Sequence, residues 1–472
     1  MTTILFIFYI LITLASLVTL ILYGTRPSKS FSWLLVIIML PYIGVLLYVL
    51  FGINRRKIKF FKLKKIDEMR AYNLFHANGS DSSVQFPSGK IRKISEVIKG
   101  SAGSFAVNGN AVAILDNGVK TFEAIFSALE KAEKFIHIQF YIFEDGELLE
   151  KVFWLFERKI KEGVEVRVIY DAVGSFSLSR KHIKRFRKIG VKIYSTMPLR
   201  FGSILFTINY RNHRKIIVID GKTGFTGGVN ISDKYIKPAG YLGIWDDMHV
   251  RIQGPAVENL HRVFVKDYYF ASSGEDLWQP EYFPKNGEEG KVPVQIVAGG
   301  PDSDFSSVMH QYATMINQAE RSVCIANPYF IPNTTILENL KMAALGGIEV
   351  KLLVPKKSDT SLVKYSMHSY FEELLHAGVK IYEHPVKFLH SKIIIVDNEI
   401  ASVGSGNFDN RSYDQNFEVN ALIFDKEIAV DLREDFERDC SEAKKLELEE
   451  FRKRPLLNKI LEGIARIFSP LL

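Results

Sequence analysis

Only two cysteines, Cys324 and Cys440, occur in 472 residues. That excludes a disulfide framework and a cysteine-based zinc site. Cys324 sits in an apolar stretch and reads as an inert core thiol; Cys440 has no discernible role. Acidic residues are also missing from the first 65 positions, which hold nine cations: Arg26, Lys29, Arg55, Arg56, Lys57, Lys59, Lys62, Lys64 and Lys65. The chain carries +8, so setting these nine aside leaves −1 for residues 66–472. Proteins that track nucleic acid need clustered cations along the body, and this body lacks them. The basic excess flanks an apolar N-terminus instead, a placement that suits a membrane surface.

What is present fits a folded protein of two or three domains, with 47% apolar and 24% charged residues. Ile4–Tyr23 is uncharged and has about the ~20 residues that a membrane-crossing helix needs. Phe31–Phe51 is a second such stretch, with Pro41 inside it as an expected kink. The polar turn 24–30 joins them. A signal peptide fits poorly, because there is no basic leader and a second apolar run follows at once. The expectation for residues 1–65 is a two-helix transmembrane hairpin with a basic juxtamembrane segment. Two cations lie in the turn and seven follow the second stretch, so the positive-inside rule keeps both termini and the body cytoplasmic.

The body repeats itself. ALEKAEKFIHI (128–138) resembles MINQAERSVCI (315–325), GVEVRVI (163–169) resembles GIEVKLL (347–353), and GVKIY recurs at 190–194 and 378–382. Each half alternates helices and strands, which predicts an α/β sheet flanked by helices. Two duplicated domains, 106–270 and 294–450, are expected to be related by a pseudo-twofold. The segment 66–105 reads as an irregular connection, and the Gly-, Pro- and acid-rich 271–293 as a linker. The tail 451–472 places Leu456, Leu457, Ile460, Leu461, Ile464, Ile467 and Phe468 in a helical stripe beside five cations. Such a helix suits either the membrane interface or packing on the body.

One pattern occurs once in each half. HRKIIVID starts at His213 and is followed by GGVN ending at Asn230; HSKIIIVD starts at His390 and is followed by GSGN ending at Asn407. His, Lys, Asp, Gly and Asn keep the same spacing in both copies, which makes coincidence improbable. The β-branched runs between Lys and Asp read as buried strands.

Two such units permit phosphodiester chemistry without a metal. One imidazole attacks phosphorus; the other protonates the leaving alkoxide and later deprotonates an incoming alcohol. Lys215 and Lys392, with Asn230, Asn407 and Ser405, are the candidates to grip the non-bridging oxygens. Each histidine needs an orienting acceptor, and Asp247 and Glu418 follow the two motifs closely; Asp246 competes with Asp247. Asp220 and Asp397 complete the motif with His213, Lys215, His390 and Lys392, although a strand-end structural role is favoured for both. No carboxylate or second His stands at ligand spacing and a Lys accompanies each His, so neither a metal nor another cofactor is expected.

These motifs resemble the paired HKD signatures of the phospholipase D superfamily, and more specifically its bacterial cardiolipin synthases. The residues that carry the likeness are NYRNHRKIIVIDGKTGFTGGVN, VAGGPDSD (297–304), NPYFIP (327–332) and HSKIIIVDNEIASVGSGNFDNRSYDQNFEVNA. The N-terminal hairpin and the terminal SPLL look like this group too. The resemblance implies transfer of a phosphatidyl group between two phosphatidylglycerol molecules in the plasma membrane, giving cardiolipin and glycerol. It also implies that His213 is the nucleophile and His390 the acid and base, a choice that the near-symmetric motifs leave open. Two alternatives stand beside it: a hydrolase of the same chemistry (a phospholipase D or an anchored nuclease) and an inactive membrane scaffold.

Overall fold

The computed structural model describes residues 2–23, 27–40, 42–53, 84, 86, 88–198 and 209–472. The basic segment after the second apolar stretch lies outside them.

One continuous sheet of fifteen strands organises the body. The first half contributes β1 (Val107–Leu115), β2 (Phe135–Phe140), β3 (Glu165–Asp171), β4 (Lys192–Thr196), β5 (Ile216–Ile219) and β6 (Thr223–Gly227). It also supplies the short β7 (Trp245–Asp246), which stands outside the large sheet, and β8 (His249–Gln253). The second half contributes β9 (Val292–Gly299), β10 (Ser322–Ala326), β11 (Glu349–Pro355), β12 (Lys380–His384), β14 (Ile393–Val396), β15 (Ile400–Gly404), β16 (Glu418–Ile423) and β17 (Lys444–Lys445), and the short β13 (Phe388–Leu389), which pairs with β7 outside the large sheet.

Read from the centre outward, the order is β1-β8-β6-β5-β2-β3-β4 on one side and β9-β16-β15-β14-β10-β11-β12 on the other. Strand by strand, the two series are the same, except that the second half adds β17 at its outer edge beside β12. Where two sheets were expected, the halves share one, joined by the antiparallel β1–β9 pair. The reason is edge chemistry: each half would otherwise leave a row of unpaired N–H and C=O groups on its innermost strand.

Strand periodicity sorts the core. Ile217 and Ile219 of β5 face one layer, whereas Ile216 and Val218 face the other. The second layer runs beneath both halves, because helices Ala256–Ala271 and Lys426–Glu442 bury Leu260, Phe264, Leu432 and Phe436 in the same cluster. Each fully buried side chain of this kind stabilises the fold by about 1.5–3 kcal/mol, so the shared layer binds the halves in addition to the shared sheet.

Two connections differ from their sequence reading. Residues 89–102 form a helix rather than an irregular join; Ser88 caps it, and its Ile91, Ile94 and Ile98 are buried in the core of the second half. The linker is packed as well, with Leu277 and Tyr282 buried and the Trp278 and Phe283 rings stacked 5.7 Å apart.

At the N-terminus, helix Thr2–Tyr23 carries no charged residue. The second apolar stretch is not one helix: it divides into Pro27–Met39, Ile43–Leu47 and a π-helical turn at Tyr48–Gly52. Leu20, Ile37, Val45 and Tyr48 form a small core between the arms. Among the described residues, no helix is long and apolar enough to cross a membrane.

Candidate active site

The β-branched runs form β5 and β14 as expected, and His213–Lys215 and His390–Lys392 stand immediately before them. The two halves interlock at this point. Asn212 bridges to Phe417, and β7 pairs with β13. His213 N donates to Phe417 O at 2.9 Å, and His390 N donates to Asp246 O at 2.7 Å.

The orienting carboxylates are crossed between the halves. His213 Nδ1 lies 3.0 Å from Glu418 Oε2, and His390 Nδ1 lies 2.6 Å from Asp247 Oδ2. Each histidine is thus held by the carboxylate that follows the other motif. Asp246 is not the partner; its carboxylate pairs with Lys387 at 3.1 Å.

Burial penalises ionised Asp247, but Lys392 and His390 outweigh it and hold the carboxyl below its usual range. Glu418 behaves alike: burial pushes it up, and His213 and Lys215 bring it down further. Burial also lowers His213, against the pull of Glu418, and takes His390 down to about 3, with Lys392 adding to the shift. Both imidazoles are therefore neutral beside an ionised carboxylate. Nδ1–H faces the carboxylate, and the lone pair is on Nε2, the nitrogen that a nucleophile or base uses.

Lys215 is fully buried, and its Nζ donates to His213 O at 2.7 Å. Burial lowers it to about 7, with Glu418 opposing and Lys392 assisting. Lys392 is also lowered by burial; it contacts His390 O and reaches Asp247 Oδ2 at 3.4 Å. Two desolvated lysines beside two imidazoles suit a phosphate anion, whose negative charge would favour their protonated form.

The remaining candidates fall elsewhere. Asp220 lies at the far end of β5 and accepts from the N–H groups of Glu133, Lys134 and Phe135, each at 2.8 Å. Asp397 does the same for Glu320, Arg321 and Ser322, with Lys90 at 2.7 Å. Five residues along a strand is roughly 17 Å, which removes both from the reacting groups. Ser405 is committed as well: its hydroxyl donates to Glu418 Oε2 at 2.5 Å and accepts from Val419 N at 2.9 Å. It braces the carboxylate and has no proton left for a phosphate. Asn230 donates to Tyr235 OH at 3.0 Å and accepts from Ile142 N at 3.0 Å. The carbonyl oxygen of Asn407 is buried without a hydrogen-bond partner.

Sequence reasoning missed several supporting groups. Arg214, inside the first motif, clamps Asp267 at 2.6 Å and donates across the interface to Glu418 O and Gly299 O. Tyr141 packs its ring 4.8 Å from that of His213, and Trp245 its ring 4.8 Å from that of His390. The RNHRK run held a signal for Arg214, because a second buried cation beside the motif demands a buried acid.

Two mirrored α/β halves, each giving one His–Lys unit to a shared centre, define a protein of the phospholipase D class. A family model described as "Cardiolipin synthase, PLD-like domain" matches residues 125–267 and 312–440, and one described as "Phospholipase_D-nuclease N-terminal" matches residues 6–52. The cardiolipin synthase of Geobacillus sp. (strain WCH70) is 42% identical over 450 residues, 95% of this chain and 89% of that protein. The probable cardiolipin synthase YwiE of Bacillus subtilis (strain 168) is 38% identical over 465 residues, 98% and 93% of the two chains. In fold, the chain is similar to the phosphatidylserine synthase of Haemophilus influenzae Rd KW20, with a TM-score of 0.61 and 15% identity over 81% of this chain and 100% of that one. The chain belongs to the cardiolipin synthase family of phospholipase D-like enzymes.

Proposed function

We propose that this enzyme joins two phosphatidylglycerol molecules into cardiolipin and releases glycerol. The observation that carries the reading is the pair of neutral imidazoles, each oriented by the opposite half's carboxylate and accompanied by a buried lysine. His213 Nε2 attacks the phosphorus of the first lipid and forms a phosphatidyl-histidine. His390 protonates the departing glycerol oxygen. The lysines neutralise the non-bridging oxygens as charge builds on them.

His390 then takes the proton from a hydroxyl of the second phosphatidylglycerol, whose oxygen displaces His213. Because His390 is held neutral without substrate, it takes up its acidic proton from solvent when the phosphate anion binds, whose charge favours the imidazolium. General acid–base catalysis contributes about 3–5 kcal/mol; the larger remainder falls to positioning and to the two lysines.

The N-terminal arms are the membrane anchor, with the body on the cytoplasmic side. Twenty-two uncharged residues in the first helix support this, as do the outward-facing Leu11, Leu14, Val18 and Ile21. An apolar surface of that kind needs a cover.

Purified enzyme given phosphatidylglycerol, with chelator present, is expected to yield cardiolipin and one glycerol per product. Phosphatidic acid without cardiolipin would assign it to hydrolysis instead.

A further inference from the structure

The tail helix Leu456–Ile467 is packed the wrong way round for a soluble protein. Its polar side faces the body. Glu462 is 3% exposed and paired with Arg454, which also binds Glu372 at 2.8 Å. Ser469 and Ser366 share a hydrogen bond of 2.8 Å, and Arg466 donates to Glu373 and Ser369 O. The apolar side faces outward: Leu456, Leu457, Ile460, Ile464, Ile467 and Phe468 are all exposed, Ile467 by 74%. A core-packed helix buries its apolar stripe and leaves its charges in water; this one is fixed to the body by ion pairs and presents the stripe.

Two further observations say what covers it. Residues 451–472 hold five cations against one acid, Glu462; Arg452, Arg454 and Arg466 pair with carboxylates of the tail and body, and the exposed Lys453 and Lys459 stand beside the apolar face. Positive charge around an apolar face suits an anionic lipid surface. The tail is also continuous with the anchor. Leu472 O accepts from Arg411 N at 3.1 Å, the Arg411 guanidinium donates to Asn209 O at 3.0 Å, and Asn209 donates to Leu50 O at the end of the hairpin at 2.6 Å.

We infer that the tail helix is a second membrane contact. It lies in the headgroup region of an anionic bilayer and, with the hairpin, fixes the body at two points beside the residues that follow the second motif. The inference takes from the proposed function that the substrate resides in a bilayer and that the N-terminal arms anchor the chain there.

The test uses the full chain in vesicles of phosphatidylglycerol and phosphatidylcholine doped with spin-labelled lipid. An environment-sensitive fluorophore is placed at Ile464→Cys and, as the control, at the exposed Glu449→Cys; the native Cys324 and Cys440 are buried. Strong quenching by the lipid label at position 464, weak quenching at 449, and weaker quenching at 464 when phosphatidylglycerol is left out is the expected result. Position 464 open to an aqueous quencher and untouched by the lipid label overturns the inference. So does energy transfer between labelled copies without lipid quenching, which would make the face an interface between copies. Equal quenching without phosphatidylglycerol overturns the anionic preference. In parallel, Ile464→Glu should lower turnover on bilayers about tenfold while sparing turnover on short-chain lipid in micelles. Quenching is read without turnover, so an enzyme that makes no cardiolipin and still shows it fails the functional reading alone.

Discussion

At the scale of single residues, the duplicated motifs are not interchangeable. The first copy has Gly228 where the second has Ser405. A Cβ at Gly228 would overlap the carboxylate of Asp247, whereas the Ser405 hydroxyl supports the longer Glu418. Aspartate therefore goes with glycine and glutamate with serine. Asp247→Asn and Glu418→Gln each keep the shape and remove the charge that fixes the tautomer. Each should lower kcat about 10²–10⁴-fold with little change in thermal unfolding. Rapid-quench detection of a labelled lipid–enzyme adduct separates them: Glu418→Gln chiefly slows its formation, where His213 attacks, whereas Asp247→Asn slows both its formation and its turnover, because His390 is the acid of one step and the base of the other. The reverse pattern would make His390 the nucleophile.

Lys215 adds a pH signature. Its ordinary value of 10.5 falls to about 7 on burial. Between those values the unfolded chain holds a proton that the native chain has released, so stability rises with pH across that window. Lys215→Met abolishes this contribution. Melting followed at pH 7 and pH 9 should show wild type gaining on the variant at the higher pH; parallel shifts would mean that Lys215 is charged in the native state. The same variant should lose activity about 10²–10³-fold, as expected when a charge-stabilising donor is removed.

At the scale of elements, the motif aspartates belong to the strands. Asp220 and Asp397 both adopt left-handed backbone, φ 53° and 55°, and turn their carboxylates onto three N–H groups at the start of β2 and of β10. A left-handed turn that an aspartate tolerates and most residues resist, plus three charge-assisted hydrogen bonds, explains both without chemistry. Asp220→Ala should cost about 2–4 kcal/mol in unfolding free energy. At temperatures where the variant stays folded, adduct formation should persist; its complete loss would return Asp220 to the chemistry.

The elements also show which information is local. The β5 and β14 runs, the alternating helices and the repeat were legible because period and composition act over a few residues. Helix Gly89–Ala102 was missed because the Gly, Ser and Asn cluster around Asn78–Ser83 set the reading of the whole segment 66–105, although Ile91, Ile94 and Ile98 carried the helical spacing. The crossing of Glu418 to His213 spans 205 residues, and nothing near either motif records it. Ser405 was misjudged for the same reason: a hydroxyl beside a motif looks available until its carboxylate partner is known.

At the scale of the molecule, neither half has a complete site. The first supplies His213 and Lys215 but borrows Glu418; the second supplies His390 and Lys392 but borrows Asp247. The borrowing is built in. β1 and β9 close the sheet, the helices Ala256–Ala271 and Lys426–Glu442 share one core layer, and Arg214 of one half binds Gly299 O of the other. Those contacts form within one chain, so the centre should be indivisible. Mixing or co-expressing His213→Ala with His390→Ala should restore no cardiolipin synthesis, because each chain holds a site with one imidazole. A site assembled between two copies would recover up to about a quarter of wild-type activity, the statistical fraction of intact centres when copies pair at random. Cardiolipin measured in a strain producing both variants in equal amount decides between a site closed within the chain and a site shared between chains.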